Sequence, residues 1–135
     1  RIKDEHGMGV WQANDSDAAL KVTQVYCSAI SCGYSRLLLE QWRSLAELVL
    51  DAAYEATLHV GIQNAIRCHL QGKTPGPVYL TKVGGGVFRN DSSWICHGIE
   101  TACQAVAAYN IPIEVILVHN GHVERSYDCL KRDFY

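Results

Sequence analysis

The chain has 135 residues, of which 48% are hydrophobic and 19% charged, and its formal net charge is −2. This length and balance fit one globular domain, spanning residues 1–135, with a core of its own. A net charge so close to zero disfavours nonspecific binding to nucleic acid, which needs a surplus of Lys and Arg. No apolar run approaches the roughly 18 residues that a membrane helix needs, so we expect no membrane contact.

The chain begins at Arg1 rather than Met, and no signal-peptide pattern follows. We therefore expect either a fragment or a processed piece of a longer protein. Residues 1–20, which include Asn14-Asp15-Ser16-Asp17, are predicted to form a loop or a short edge strand.

The six cysteines are spread through apolar segments, at positions 27, 32, 68, 96, 103 and 129. Such wide spacing is typical of small buried side chains rather than of a disulfide framework. Cys27 and Cys32 are separated by four residues, whereas redox and zinc motifs have two. The sequence therefore predicts reduced, buried thiols and an intracellular location. Cys27 could act as a nucleophile, but a buried inert thiol is the default interpretation.

Three apolar segments are predicted to form strands. Residues 22–27 are rich in β-branched and aromatic side chains, and residues 78–83 end at a run of three glycines. The third segment, residues 113–118, follows Pro112.

Two helices are predicted between these strands. The first has an apolar face, with residues at steps of three and four, and runs to about His69. This face consists of Trp42, Leu45, Val49, Ala52, Ala56 and Val60. The second helix begins with a cap at Asp91, Ser92 or Ser93 and ends at Asn110. Its predicted buried positions are Ile95, Ile99, Ala102 and Val106.

Alternating strands and helices are typical of consecutive right-handed crossovers and a mainly parallel sheet. We therefore predict a three-layer α/β/α fold with a mainly parallel or mixed sheet. Residues 22–27, 78–83 and 113–118 should lie side by side as parallel strands. In such sheets ligands bind outside the carboxyl ends of the strands, so a site is expected at that edge.

The segment from Val83 to Asn90 reads Val-Gly-Gly-Gly-Val-Phe-Arg-Asn and joins a predicted strand to a predicted helix. Successive glycines admit positive φ, and their N–H groups can form an anion-binding concavity beside a helix N-terminus. A flexible turn is the alternative interpretation, but the placement favours phosphate contact. The P-loop pattern G-x-x-x-x-G-K-[ST] is absent. The pattern G-x-G-x-x-G is also absent, because Arg89 takes the place of its last glycine.

A strand, then Gly-x-Gly-Val-Phe, then a helix and a strand together resemble the C-terminal half of a macro domain, which binds ADP-ribose. The resemblance runs from about Val22 to Tyr127 and is specific over residues 78–118. It implies that loop amides bind the diphosphate of ADP-ribose and that Phe88 packs on the distal ribose. The resemblance and the strand-end positions together give these candidate ligand-binding residues: Gly84, Gly85, Gly86, Val87, Phe88, Arg89, Asn90, Tyr34, His119 and Asn120.

The sequence departs from the macro-domain pattern in several places, as a divergent or truncated member would. Gln12-Ala13-Asn14 is a faint echo of the Asn-Ala-Asn type motif near the family's N-terminus, and a second glycine-rich loop is missing. Arg89 stands where the family usually has Gly, and it either crowds the pocket or pairs with phosphate. Poly(ADP-ribose) glycohydrolases carry paired catalytic glutamates after three glycines, and no Glu-Glu pair occurs here.

Other polar and aromatic residues lie near the predicted strand ends. Tyr34 follows the first predicted strand and either stacks on a base or ribose or serves packing. Ser28 and Ser31 could reach a phosphate, although small polar residues are common in loops. His119 and Asn120 follow the third predicted strand, where the resemblance implies the adenosine side of the ligand.

Two sets of titratable residues have simpler interpretations than a metal site or catalysis. His119 and His122 with Cys129 could hold a metal, but without a paired C-x-x-C we expect none. Three residues recur at four-residue steps along the first helix, and a solvated charged face is favoured over an acid–base array. These three are Asp51, Glu55 and His59.

The sequence therefore predicts a module that binds ADP-ribose or a related phosphate-bearing nucleotide, without a cofactor or metal. Any catalysis would be hydrolysis of an ADP-ribosyl linkage by a water that the ligand diphosphate and the loop position. The alternative is a non-catalytic structural or protein-interaction domain that has lost the ligand. In that case exposed apolar surface would serve a homo-oligomer or another protein partner.

Overall fold

The computed structural model describes residues 3–4, 9–10, 22–121 and 125–130. Over these residues the chain is a mixed α/β fold. Near the N-terminus, β1 (Lys3–Asp4) pairs antiparallel with β2 (Gly9–Val10). The rest of the predicted N-terminal loop or edge strand, including the Gln12-Ala13-Asn14 echo, lies outside the described residues.

β3 (Val78–Thr81) and β4 (Val115–Val118) form a parallel pair, with the two strands in register from end to end. They lie inside the predicted segments 78–83 and 113–118, so the predicted parallel pairing of these two is confirmed. A helix connects them, as a parallel crossover requires. Within the described ranges this sheet consists of these two strands.

The prediction of a third strand at residues 22–27 is wrong. Residues 22–30 have no regular secondary structure, and Val22 and Tyr26 are mostly exposed. The strand propensity of β-branched and aromatic residues reflects how well they pack on a half-buried sheet surface. These side chains have no sheet surface to pack on, so residue composition alone predicted a strand that does not form.

α1 (Leu39–Leu70) confirms the first predicted helix. The side chain of Gln41 caps its start by accepting a hydrogen bond from the Leu38 backbone N–H at 2.9 Å. Beyond its other end Gly72 has a φ of +65°, the left-handed conformation that commonly terminates helices. The predicted end at about His69 is therefore confirmed.

The apolar face predicted for α1 is not the face that the helix buries. Of the six residues, three are exposed and three are partly buried: Leu45, Ala52 and Ala56, then Trp42, Val49 and Val60. The buried positions lie on another side of the helix: Ala46, Leu50, Ala53, Tyr54, Leu58, Gly61, Ile62 and Ala65. Because α1 is apolar on both sides, its helical period cannot identify the buried side; packing against neighbouring elements does.

α2 (Ser92–Ala107) begins at the predicted cap. The Asp91 carboxylate accepts hydrogen bonds from the Ser93 backbone N–H at 2.8 Å and from the Ser93 hydroxyl at 2.6 Å. Asn110, with a φ of +52°, follows the helix as predicted. The four predicted core positions are all buried: Ile95, Ile99, Ala102 and Val106.

The core lies between the two helices and one face of the β3–β4 sheet. A Cβ on Gly61 of α1 would come within 2.6 Å of the Val78 side chain, so the close contact with β3 requires glycine. Buried Tyr54 donates its hydroxyl to the Thr81 carbonyl at 2.9 Å and accepts from the Val83 N–H at 3.0 Å. These two bonds tie α1 to the carboxyl end of β3.

Neither helix in the described ranges combines the length and the apolar character that crossing a bilayer requires. Five cysteines have described side chains, and all five are free thiols. Cys68 is partly buried, and three others are buried as predicted: Cys32, Cys96 and Cys103. Cys27 is exposed, contrary to prediction, because the strand expected to bury it does not form. The Cys129 side chain lies outside the described residues.

Candidate functional site

The loop from Lys82 to Asn90 leaves the carboxyl end of β3 and enters α2, as the sequence predicts. In this loop the Gly85 N–H donates to the Lys82 carbonyl at 3.1 Å. The Arg89 N–H donates to the Gly86 carbonyl at 2.9 Å. Each bond closes over three residues, so the loop is built from two successive tight turns.

Asn90 is 5% exposed and holds the base of this loop against the segment that precedes α1. Its side-chain amide nitrogen donates to the Ile30 carbonyl at 2.8 Å. Its backbone N–H donates to the Gly84 carbonyl at 3.0 Å. The Asn90 Oδ1 atom is buried and has no hydrogen-bond partner among the described residues.

The positive φ expected of the glycine run occurs at Gly84 alone, where φ is +79°. A Cβ on Gly84 would overlap the Ala29 methyl group and come within 2.6 Å of the Asn90 side-chain nitrogen. A Cβ on Gly86 would meet open space. Gly84 is therefore a packing requirement, whereas the side of the loop at Gly86 is open to an approaching molecule.

The tip of the loop presents three successive backbone amides. The N–H groups of Gly86, Val87 and Phe88 donate to no partner in the part of the chain that the structure describes. Gly86 and Val87 are exposed. Successive amides of this kind are the groups from which anion-binding concavities are built. The tip can therefore accept an anion without breaking a hydrogen bond of the loop.

Tyr34 lies beside the loop, in the short 3-10 turn Cys32–Tyr34. Its ring meets the Phe88 ring edge to face, with centroids 6.1 Å apart. The Gly33 N–H donates to the Phe88 carbonyl at 2.9 Å, and a Cβ on Gly33 would overlap the Val87 carbonyl oxygen. Sequence analysis missed Gly33, because its contact joins segments far apart in the chain.

Arg89 has a φ of +58°, in the left-handed region that strains a residue with a Cβ. Gly adopts this conformation without strain. The Arg89 side chain is exposed and passes close to Gly33. The residue that directly follows the three amides of the loop tip therefore carries a positive charge.

His119 and Asn120 follow β4 at the same edge of the sheet, since β3 and β4 are parallel and in register. The His119 ring packs edge to face on the buried Tyr127, with centroids 5.7 Å apart. The Lys82 Nζ atom lies 5.3 Å from the centroid of the same ring. In the described part of the chain no hydrogen bond or ring contact links His119 or Asn120 to the glycine loop.

The structure thus places the predicted loop residues and Tyr34 together, whereas His119 packs on Tyr127. Comparison of this chain with protein-family models, with curated proteins and with solved structures finds no match.

Sequence analysis missed Lys82 and Tyr127, since their contact depends on how a C-terminal turn packs on the sheet edge.

The remaining residues considered from the sequence are those of the possible acid–base array and of the possible metal site. Glu55 and His59 are partly exposed neighbours on α1, 3.4 Å apart, which fits a solvated face. The prediction of a solvated face is wrong for Asp51, which is partly buried. Its Oδ1 atom is buried without a hydrogen-bond partner among the described residues, and desolvation raises the pKa of its carboxyl. The residues with described positions include no group of three metal ligands. His122 and the Cys129 side chain lie outside the described ranges.

Proposed function

We propose that the loop from Gly84 to Asn90 binds a phosphate-bearing nucleotide, with ADP-ribose as the first candidate. The observation that carries this proposal is the loop tip, where three successive amides are without partners among the described residues. A diphosphate accepts hydrogen bonds from such amides. Arg89 adds an exposed cation at the same place.

The neighbouring aromatic residues fit the rest of such a ligand. Tyr34 and Phe88 form an edge-to-face pair beside the loop, and Tyr34 is largely exposed. A ribose or base could pack on either ring. The resemblance to macro domains supports the same ligand and also a three-layer arrangement of the fold. Hydrolysis of an ADP-ribosyl linkage is a secondary proposal, in which the ligand diphosphate and the loop position the attacking water.

Titration calorimetry with ADP-ribose tests the proposal, with Gly86→Val as the decisive variant. Because a Cβ at Gly86 meets open space, valine leaves the fold intact and projects into the space that the ligand would occupy. We expect affinity for ADP-ribose to fall at least tenfold without a change in melting temperature. Gly76→Val is the matched control, since a Cβ there also meets open space.

Two results would contradict the proposal. An unmodified chain that binds neither ADP-ribose nor ADP would rule out a nucleotide site. Undiminished binding by Gly86→Val would place the ligand away from this loop and leave the glycines as a turn.

A non-catalytic interaction domain is the second candidate. The observation that favours it is the set of large apolar side chains exposed along α1, among them Leu45 and Leu48. Contiguous exposed apolar surface marks interaction sites.

A further inference from the structure

Gly33 packs on the backbone of the glycine loop from the short turn Cys32–Tyr34. Its N–H donates to the Phe88 carbonyl oxygen at 2.9 Å. A Cβ on Gly33 would overlap the carbonyl oxygen of Val87, which is the nearest Val87 atom to that position. Two successive carbonyl groups of the loop therefore lie against this one glycine.

The direction of a carbonyl group also fixes the direction of the next N–H. In a trans peptide the C=O of one residue and the N–H of the next point in opposite directions. The peptide bond between Val87 and Phe88 is trans. Because the Val87 carbonyl oxygen lies at Gly33, the Phe88 N–H points away from Gly33. This N–H is one of the three tip amides without a partner among the described residues.

Close contact, rather than backbone conformation, requires glycine at position 33. The φ of Gly33 lies outside the left-handed region, so alanine can adopt the same backbone conformation. The Val87 oxygen belongs to the backbone and yields only if its peptide unit turns or moves. The Cγ and Cδ atoms of Arg89 also come within 2.9 Å of the Cβ position, but this exposed side chain can move aside. A side chain at position 33 therefore acts mainly on the Val87–Phe88 peptide.

Two further contacts hold the turn and the loop together. The Asn90 side-chain nitrogen donates to the Ile30 carbonyl at 2.8 Å. The Tyr34 ring packs edge to face on the Phe88 ring, with centroids 6.1 Å apart. Because these contacts lie on both sides of Gly33 in the chain, separating the two segments to admit a methyl group would break them.

We infer, on the basis of the proposed function, that Gly33 is a positioning residue for phosphate binding. It orients the Val87–Phe88 peptide so that the Phe88 N–H is presented to the ligand. Gly33 supplies no donor of its own, since its N–H is bonded to the Phe88 carbonyl. The Phe88 amide binds the phosphate rather than the base or the distal ribose, so ADP and ADP-ribose depend on Gly33 equally.

Titration calorimetry with ADP-ribose and with ADP compares Gly33→Ala with the unmodified chain. Affinity for both should fall about tenfold to a hundredfold, as expected when one hydrogen bond to a charged ligand is lost. Gly61→Ala is the matched control, because a Cβ there comes within 2.6 Å of the Val78 side chain, at the other end of β3. It should lower the melting temperature without changing affinity.

The outcomes separate this role from the site itself. If the unmodified chain binds and Gly33→Ala binds equally well, Gly33 is not a positioning residue and the proposed function stands. An equal loss in Gly61→Ala also overturns the role, because general destabilisation then accounts for both losses. An unmodified chain that binds neither nucleotide contradicts the proposed function and this role together.

A double-mutant comparison separates the peptide from the Arg89 side chain. Gly33→Ala should lower affinity by the same factor in the unmodified chain and in Arg89→Ala. If the effect of Gly33→Ala disappears in Arg89→Ala, the glycine acts by placing the guanidinium, which overturns its role in orienting the peptide. Circular dichroism shows whether each variant is folded.

Hydrogen exchange on the unmodified chain tests the same role without a substitution. Saturating ADP-ribose should slow exchange of the Gly33 N–H about fivefold or more, because ligand binding and the Gly33–Phe88 bond favour the same peptide orientation. The Gly72 N–H, which donates to the His69 carbonyl at 3.0 Å beyond α1, is the control for general stabilisation by the ligand. Unchanged exchange at Gly33 with ADP-ribose bound, or equal slowing at Gly33 and Gly72, overturns the positioning role.

Discussion

Two of the three consecutive glycines in the loop, Gly84 and Gly86, serve different physical purposes. Gly84 has a positive φ, and the space beside it is already filled by Ala29 and Asn90. Gly86 has neither restriction, so its lack of a side chain leaves the loop tip open. Asn90 holds the base of the loop, because its side-chain amide donates to the Ile30 carbonyl and its backbone N–H donates to the Gly84 carbonyl. The loop therefore combines a rigid base with an open tip, which suits binding by backbone amides.

Tyr54 gives a residue-scale prediction about alkaline pH. Its buried hydroxyl donates to the Thr81 carbonyl and accepts from the Val83 N–H. Desolvation by burial raises the pKa of this phenol above its ordinary value near 10. A raised pKa in the folded state means that the stability contributed by neutral Tyr54 is fully present below about pH 10. It is lost as pH rises further, by up to about 1.4 kcal/mol per pH unit.

The measurement is urea unfolding between pH 8 and pH 11, on the unmodified chain and on Tyr54→Phe. The variant should be less stable at neutral pH by about 1–3 kcal/mol, because the Val83 N–H and the Thr81 carbonyl each lose a partner. Its stability should also fall less steeply above pH 10. Tyr79→Phe is the control, since Tyr79 is an exposed tyrosine on β3. Equal alkaline slopes for all three chains would refute the role given to Tyr54.

At the scale of secondary-structure elements, the stability of α2 depends on its N-terminal cap. Asp91 accepts from the Ser93 N–H and hydroxyl, and these hydrogen bonds lower the pKa of its carboxyl. Replacing an N-cap Asp by Ala costs about 0.5–2 kcal/mol of stability, and Asn retains the acceptor. We therefore expect Asp91→Ala to be clearly less stable than Asp91→Asn in urea unfolding at pH 7.

Measuring the same free energies of unfolding at acid pH tests the electrostatic contribution of the Asp91 cap. Because the folded pKa of Asp91 is lowered, the stability from the charged cap is present above the ordinary pKa of about 3.9 and is lost as pH falls through the folded value. The stability gap between the unmodified chain and Asp91→Ala should therefore narrow below about pH 4. A gap that stays constant down to pH 2 would contradict an electrostatic contribution of the cap.

α1 shows why helical periodicity alone cannot identify the buried side of a helix when both of its sides carry apolar residues. The predicted face and the buried face are each spaced at three and four residues, so the pattern fits both. Tyr54 and Gly61 decide between them, because each makes a contact with β3 that only one rotation of the helix allows. The other side of the helix stays exposed, with Leu45 and Leu48 among its side chains.

At the scale of the whole molecule, the thiols report how the chain is packed. Cys27 is exposed, whereas three others are buried: Cys32, Cys96 and Cys103. Burial also raises the pKa of the Cys103 thiol, which lowers its thiolate fraction. Titration of the native chain with an aromatic disulfide reagent should give a fast phase that Cys27→Ser reduces by one thiol. The buried thiols should react only after unfolding, and an unchanged fast phase in Cys27→Ser would contradict the exposed position of residue 27.

The sequence by itself determined the features that depend on neighbouring residues. The Asp91 cap, the end of α1 near Gly72 and the buried positions of α2 all follow from local hydrogen bonding and helical period. The predicted strand segments 78–83 and 113–118 contain the observed strands because each is a short β-branched run bounded by Gly or Pro. The position of the glycine loop between β3 and α2 followed from the same local signals.

The tertiary structure alone decided what depends on residues distant in the chain. It excluded residues 22–27 from the sheet and exposed Cys27, because a strand requires a partner as well as a propensity. It packed Tyr34 on Phe88 and moved His119 into contact with Tyr127, since ring contacts between separate segments leave no trace in local composition. The buried side of α1 was decided in the same way, by the close fit of Gly61 against β3.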